Sequence, residues 1–153
     1  MTGDRLFEIF LDVQRGLPRQ GPGCAESTRR ALSLCKALPE NPRVLDIGCG
    51  PGMQTQVLLD SHAGELTAVD LIEEYLDQLR ARVGDRVTIM TCDMAELPFL
   101  AQAFDLIWCE GAAYIMGVEN ALRDWRRLLK PQGYLALTEL VWLTPEPPAE
   151  AAA

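Results

Sequence analysis

The sequence has a single histidine, His62, and no Cys-x-x-Cys pair among its five cysteines (Cys24, Cys35, Cys49, Cys92, Cys109). Zinc-ligand spacing is therefore absent, and no metal site is expected. Basic residues are scarce: 14 Lys and Arg face 22 Asp and Glu, giving a formal net charge of −8 and a pI near 4.6. A negative field of this kind disfavours phosphate backbones and anionic membranes, so neither nucleic acid nor a lipid surface is an expected partner. The nearest thing to a basic patch is Arg123, Arg126 and Arg127, whose helical spacing reads as a solvated face. No apolar run approaches the length needed to span a bilayer. The amino terminus is a mixed-charge amphipathic stretch without the features of a leader. Free thiols then fit a reducing compartment, and a soluble cytoplasmic protein is expected.

What is present is enough for one core: 153 residues, 48% of them hydrophobic. The most informative stretch is Val44-Leu45-Asp46-Ile47-Gly48-Cys49-Gly50-Pro51-Gly52. A short apolar strand carries an acid and runs into three glycines on alternate positions. Glycine lets the backbone take positive φ and lets a ligand approach where a Cβ would collide. A strand, a glycine turn and a helix form a nucleotide site at the carboxyl ends of parallel strands. The acid discriminates among nucleotides. A carboxylate beside the glycines would repel a pyrophosphate held on a helix N-terminus. A cationic or zwitterionic ligand tolerates it, which points to S-adenosylmethionine rather than NAD.

The periodicity predicts a short helix around residues 6–13, a break at Arg19-Gln20-Gly21-Pro22-Gly23, and a second helical run carrying Ala31, Leu32, Leu34, Cys35 and Leu38. Strands and helices then alternate. Strands are expected at 44–47, 65–69, 86–91, 104–109 and 134–141, with helices at 54–61, 73–83 and 118–129. Such alternation requires right-handed crossovers. The predicted fold is α/β: a Rossmann-like, doubly wound, mainly parallel sheet of about five strands with helices on both faces. Residues 1–40 read as a helical cap segment, 41–143 as the core and 144–153 as a Pro/Ala-rich tail. The fifth strand is expected at the sheet edge, poorly covered, where a second copy could pair as a homodimer.

Four segments in order, Leu45-Asp46-Ile47-Gly48-Cys49-Gly50-Pro51-Gly52, Ala68-Val69-Asp70, Cys92-Asp93-Met94-Ala95-Glu96-Leu97-Pro98-Phe99 and Leu129-Lys130-Pro131-Gln132-Gly133-Tyr134, carry a resemblance. The chain resembles the class I S-adenosylmethionine-dependent methyltransferases of the small-molecule, ubiquinone/menaquinone-biosynthesis-like type, over about residues 19 to 143. The resemblance implies S-adenosylmethionine as cofactor, S-adenosylhomocysteine as product, and a small organic acceptor. Complete members continue with two further strands, so the chain reads as truncated after its fifth.

Beside the resemblance, each residue has a physical role to test. Gly48 and Gly50 let the loop lie against the methionine part of the cofactor, with Cys49 and Gln54 completing that wall. Asp46 would bind its ammonium group directly or through water. Asp70 would accept bonds from the ribose hydroxyls, although the same role serves NAD. Asp93 would accept the adenine amino proton and the Met94 N–H would reach a ring nitrogen, with Met94 and Leu71 against the adenine faces. Each acid has a plainer alternative as a cap or turn residue. Glu110 and Tyr114 stand where the methyl group would lie. Glu110 reads as a base, a contact to the cofactor's amino end or a capping acid; Tyr114 lines either the acceptor pocket or the core. His62 reads as a surface residue.

Methyl transfer from a sulfonium is an in-line displacement, so positioning matters more than a catalytic dyad. No Asn-Pro-Pro-aromatic or Asp-Pro-Pro-aromatic tetrad and no Pro-Cys nucleophile is present, which disfavours methylation of DNA bases. Two alternatives remain. One is a cofactor-binding module without turnover. The other is an NAD-dependent oxidoreductase, opposed by Met53 where the dinucleotide fingerprint needs glycine.

Overall fold

The apolar run after Pro42 becomes strand β1 (Arg43–Ile47), in which four of five residues are buried. Burial on both faces marks a central parallel strand, and this is why its sequence is nearly continuous in apolar residues. The computed structural model describes residues 3–61 and 64–143; His62 and the tail carrying Pro145, Pro147, Pro148 and the alanines lie outside them. Before β1 come helices α1 (Gly3–Gln14) and α2 (Ala25–Leu34). After it follow α3 (Met53–Ser61), β2 (Glu65–Asp70), α4 (Glu73–Val83), β3 (Thr88–Thr91), β4 (Phe104–Glu110), α5 (Val118–Trp125) and β5 (Leu129–Thr138).

All strand pairs are parallel, in the order β3-β2-β1-β4-β5. The predicted doubly wound α/β sheet of five strands is therefore the fold observed. Alternation along the strands divides the core in two. Val44, Leu66, Leu106 and Trp108 pack with Leu32, Leu58, Leu76 and Leu79 of α2, α3 and α4. Leu45, Ile47, Val69 and Ile107 pack on the opposite face with Ala121 and Trp125 of α5. Strand order reverses between β1 and β4, and ligands of such sheets bind in the crevice that this reversal opens.

The largest boundary shifts fall in the second half of the chain. The third strand starts at Thr88, because Gly84–Arg86 form a 3-10 turn that closes α4. The fifth helix ends at Trp125, followed by a 3-10 turn over Arg126–Leu128. The fifth strand stops at Thr138 and not at residue 141, and Leu140, Val141, Trp142 and Leu143 are exposed. Lys130-Pro131-Gln132-Gly133 does not precede that strand but bulges within it: the pairing jumps from Phe104↔Leu129 to Leu106↔Tyr134. An edge strand tolerates the proline because one side of it needs no ladder donor. Lys130 Nζ anchors the bulge on Asp105 Oδ2 at 2.8 Å.

The glycine loop after β1 is shaped as much by packing as by room for a ligand. Gly48, Gly50 and Gly52 all have positive φ. A Cβ on Gly48 would meet the Ala112 side chain at 2.5 Å, and one on Gly52 would meet Leu79 of α4 at 2.2 Å. Gly50 has only Gln20 nearby, at 3.5 Å. Two of the three glycines thus serve the closure of the loop onto its neighbours. Gly52→Ala is expected to lose about 2–3 kcal/mol of stability, from strain plus overpacking. Gly50→Ala should lose only about 1 kcal/mol, the left-handed penalty alone. Urea unfolding of the two variants checks this, and equal losses would refute the packing account.

Candidate active site

Loops at the carboxyl ends of β1, β2, β3 and β4 converge on a cavity of about 250 Å³. Gly48, Cys49, Gly50 and Gln54 line it from the first loop, Asp70 and Leu71 from the second, Asp93 and Met94 from the third, Glu110 and Tyr114 from the fourth. A fifth wall comes from the amino-terminal residues: Leu11 of α1 and the segment Arg19-Gln20-Gly21-Pro22 cross over the cavity. Of the residues expected from sequence to bind cofactor or act in catalysis, Asp46 alone is absent from the wall.

Asp46 lies behind the glycine loop, fully buried. Its Oδ2 accepts from the Thr55 hydroxyl at 2.6 Å, while Oδ1 has no partner among the described residues. Burial pushes its carboxyl up to about 7, opposed by the Thr55 hydrogen bond and the nearby Gln54 amide and reinforced by the charges of Glu110 and Asp70. Gln54 keeps its place by donating Nε2 to the Cys49 carbonyl at 2.8 Å.

Asp70 ends β2 and is held from two sides. Oδ2 accepts the Gly50 N–H at 2.8 Å and Oδ1 the Ile72 N–H at 2.9 Å. Burial raises its pKa and these N–H groups oppose the rise. A carboxylate offers about four lone-pair sites, so two remain for a ligand. Asp93 is exposed, and its Oδ1 accepts the Ala95 N–H at 2.8 Å in an Asx turn. The Met94 carbonyl accepts from Trp125 Nε1 at 2.9 Å, which ties the loop to α5. The turn reading of Asp93 and its place on the cavity wall hold together.

Glu110 is not a free acid. Its Oε1 accepts from Thr28 Oγ1 at 2.7 Å and Trp108 Nε1 at 2.9 Å, and its Oε2 pairs with Arg19. With three donors upon it, one a guanidinium, it is placed to hold Arg19. Arg19 Nη2 and Gln20 Oε1, both buried, are left without partners among the described residues. Gln20 is fixed by donating Nε2 to the carbonyls of Gln14 and Leu17, at 3.2 and 3.1 Å. Sequence reasoning noted the segment but not these roles, since nothing local announces that Arg19 pairs with a residue 91 positions away. Tyr114 and Ile115 stand exposed at the mouth. The Cys49 and Cys92 thiols, also on the wall, are both shifted up, chiefly by burial, so a thiolate nucleophile is disfavoured.

The cavity thus gathers three carboxylates with Asp46 behind them, against one guanidinium. A methyltransferase-domain family matches residues 44–133, more than half of the chain. The chain belongs to this methyltransferase family. It is 33% identical over 115 residues to malonyl-[acyl-carrier protein] O-methyltransferase of Enterobacter lignolyticus, covering 73% of this chain and 45% of that protein. It is 30% identical over 129 residues to 27-O-demethylrifamycin SV methyltransferase of Amycolatopsis mediterranei, covering 79% and 47%. The fold matches that of YjhP from Escherichia coli with a TM-score of 0.73 at 24% identity, over 85% of this chain and 55% of that one. The chain spans about half the length of the curated relatives that it matches.

The buried acid of this methyltransferase domain makes a pH prediction. Asp46 titrates at about 7 when folded and at 3.8 otherwise. The folded state therefore holds the extra proton, and stability falls as pH rises between those values. Relative to Asp46→Asn, the wild type should lose about 1.4 kcal/mol per pH unit from about pH 4 to about pH 7, and nothing more above. Chemical denaturation across that range measures the difference; parallel curves for the two proteins would sink the assignment.

Proposed function

We propose that this chain binds S-adenosylmethionine and directs its methyl group to a small organic acceptor. The observation that carries the reading is Asp70, fixed by two backbone N–H groups at the end of β2 and opening on an acidic cavity. S-adenosylmethionine supplies a methyl group activated by a sulfonium, which carries positive charge and suits such a cavity. The residues present fit the rest of the molecule. Asp70 accepts the ribose hydroxyls, and Asp93 with Met94 reads the adenine edge. Arg19 Nη2 offers a donor for the carboxylate and Gln20 Oε1 an acceptor for the ammonium, two buried atoms otherwise unpaired. Asp46 supports that end through its charge from behind the loop.

Glu110 acts in this reading as a positioning residue, because its oxygens hold Arg19, Thr28 and Trp108. No step of proton transfer is assigned to it. Tyr114 and Ile115 offer an apolar, aromatic edge to the acceptor, and the order of events asks only that the nucleophile be held in line with the methyl group. The names of two relatives place methylation on oxygen, which favours an oxygen acceptor. A pyrophosphate would meet the same carboxylates unfavourably, which argues against NAD.

Calorimetric titration tests the reading. S-adenosylhomocysteine should bind with micromolar affinity and NAD should show no heat. Asp70→Ala should weaken S-adenosylhomocysteine by at least about 10-fold, the value of lost hydrogen bonds to a charged group. Binding without methyl transfer across an acceptor panel would favour the module without turnover. Tight NAD binding would overturn the proposal.

A further inference from the structure

Tyr75 sits in the first turn of α4, and its side chain forms part of the cavity wall beside Asp70, Leu71 and Ile72. The residue is 7% exposed, and its hydroxyl is buried without a hydrogen-bond partner among the described residues. A buried hydroxyl left unpaired is costly, and native structures seldom keep one without a use. Phenylalanine would fill the same space without that cost.

The surroundings identify what the hydroxyl faces. Burial, then the negative charges of Asp70 and Glu74, push the Tyr75 phenol up, with Arg15 opposing. It therefore stays protonated at neutral pH and acts as a donor. Asp70, whose charge it feels, is fixed by Gly50 and Ile72 and acts only as an acceptor. A donor and an acceptor on one cavity wall match a group that can do both, which is an alcohol. The adenine-reading residue Met94 packs with the opposite core, on the α5 face of the sheet, whereas α4 packs on the face with α2 and α3.

We propose that the Tyr75 hydroxyl donates a hydrogen bond to a ribose hydroxyl oxygen of the bound cofactor, while that same hydroxyl donates to Asp70. Tyr75 is thus a second ribose-reading residue, and it selects for a ribonucleoside. The proposal rests on the S-adenosylmethionine reading of the cavity. It makes an unusual demand on one substitution, because the effects on stability and on binding have opposite signs.

The experiment uses the full chain and Tyr75→Phe, each studied by thermal unfolding without ligand and by calorimetry with S-adenosylhomocysteine and its 2′-deoxy and 3′-deoxy analogues. The variant should melt at the same temperature as the wild type or higher, since it removes an unpaired buried hydroxyl. It should bind S-adenosylhomocysteine about 5- to 10-fold more weakly, as expected for one neutral hydrogen bond. One deoxy analogue should cost the wild type more affinity than it costs the variant. Equal binding by wild type and variant would overturn the role of Tyr75 and leave the cofactor reading standing. A lower melting temperature with unchanged binding would show a structural hydroxyl and overturn it too. Absence of S-adenosylhomocysteine binding by the wild type would overturn the cofactor reading, and this proposal with it.

Discussion

The cleft depends on a carboxylate that holds two loops at once. Asp70 grips Gly50 of the loop after β1 with one oxygen and Ile72 of the loop after β2 with the other. The Gly48 and Cys49 N–H groups both donate to the Val69 carbonyl, at 2.9 and 3.1 Å, and seat the start of the first loop on β2. The Asp70 side chain extends that hold to Gly50 and ties it to the second loop. Burial raises the energy of its charged form, and two backbone donors offset much of that. The position of Gly50 in turn sets where Gln20 can rest, and so where the crossing segment lies.

The second anchor is made across the greatest sequence distance in the site. Arg19, just before the Gly-Pro-Gly turn, meets Glu110 at the end of β4, and Thr28 and Trp108 complete the shell of that carboxylate. Buried charges are retained where they are paired and hydrogen-bonded, and removing one partner leaves the other exposed to the full desolvation cost. This knot brings α2 and the segment before it onto the end of the sheet. The amino-terminal residues are thereby part of the cavity and not merely a cap beside it.

Much of this was legible in the chain. The apolar runs with strand length, the glycine spacing and the acids at 70 and 93 depend on local sequence, and they placed the sheet and three of the cavity walls. The boundaries that moved are those decided by competition between turns. The 3-10 turn over Gly84–Arg86 delays the start of β3, and the bulge at Lys130-Pro131-Gln132-Gly133 exists because Asp105 is opposite to receive Lys130. The role of Tyr75 was illegible, since helical periodicity shows that a side chain points inward but not whether its tip ends in core or in cavity. Arg19, Gln20 and the commitment of Glu110 were illegible for the same reason: they arise from contacts between segments far apart in sequence.

Asp46 completes the argument about charge. A fully buried acid with one oxygen unpaired is unfavourable unless the fold gains something from it, and neutral asparagine would fit the same space. Burial, with the charges of Glu110 and Asp70 added to it, pushes its carboxyl up to about 7. A cation entering the cavity would reverse that balance, favouring the ionised form and drawing benefit from all the carboxylates together. The fold thus stores unfavourable electrostatics that a positively charged ligand relieves. In the proposed reading Asp46, Asp70, Glu110 and Arg19 serve the cofactor, whereas Tyr114 and Ile115, exposed at the mouth of the same cavity, serve the acceptor. Cofactor affinity and methyl transfer would then answer to different residues, and a loss at the mouth would leave the first in place.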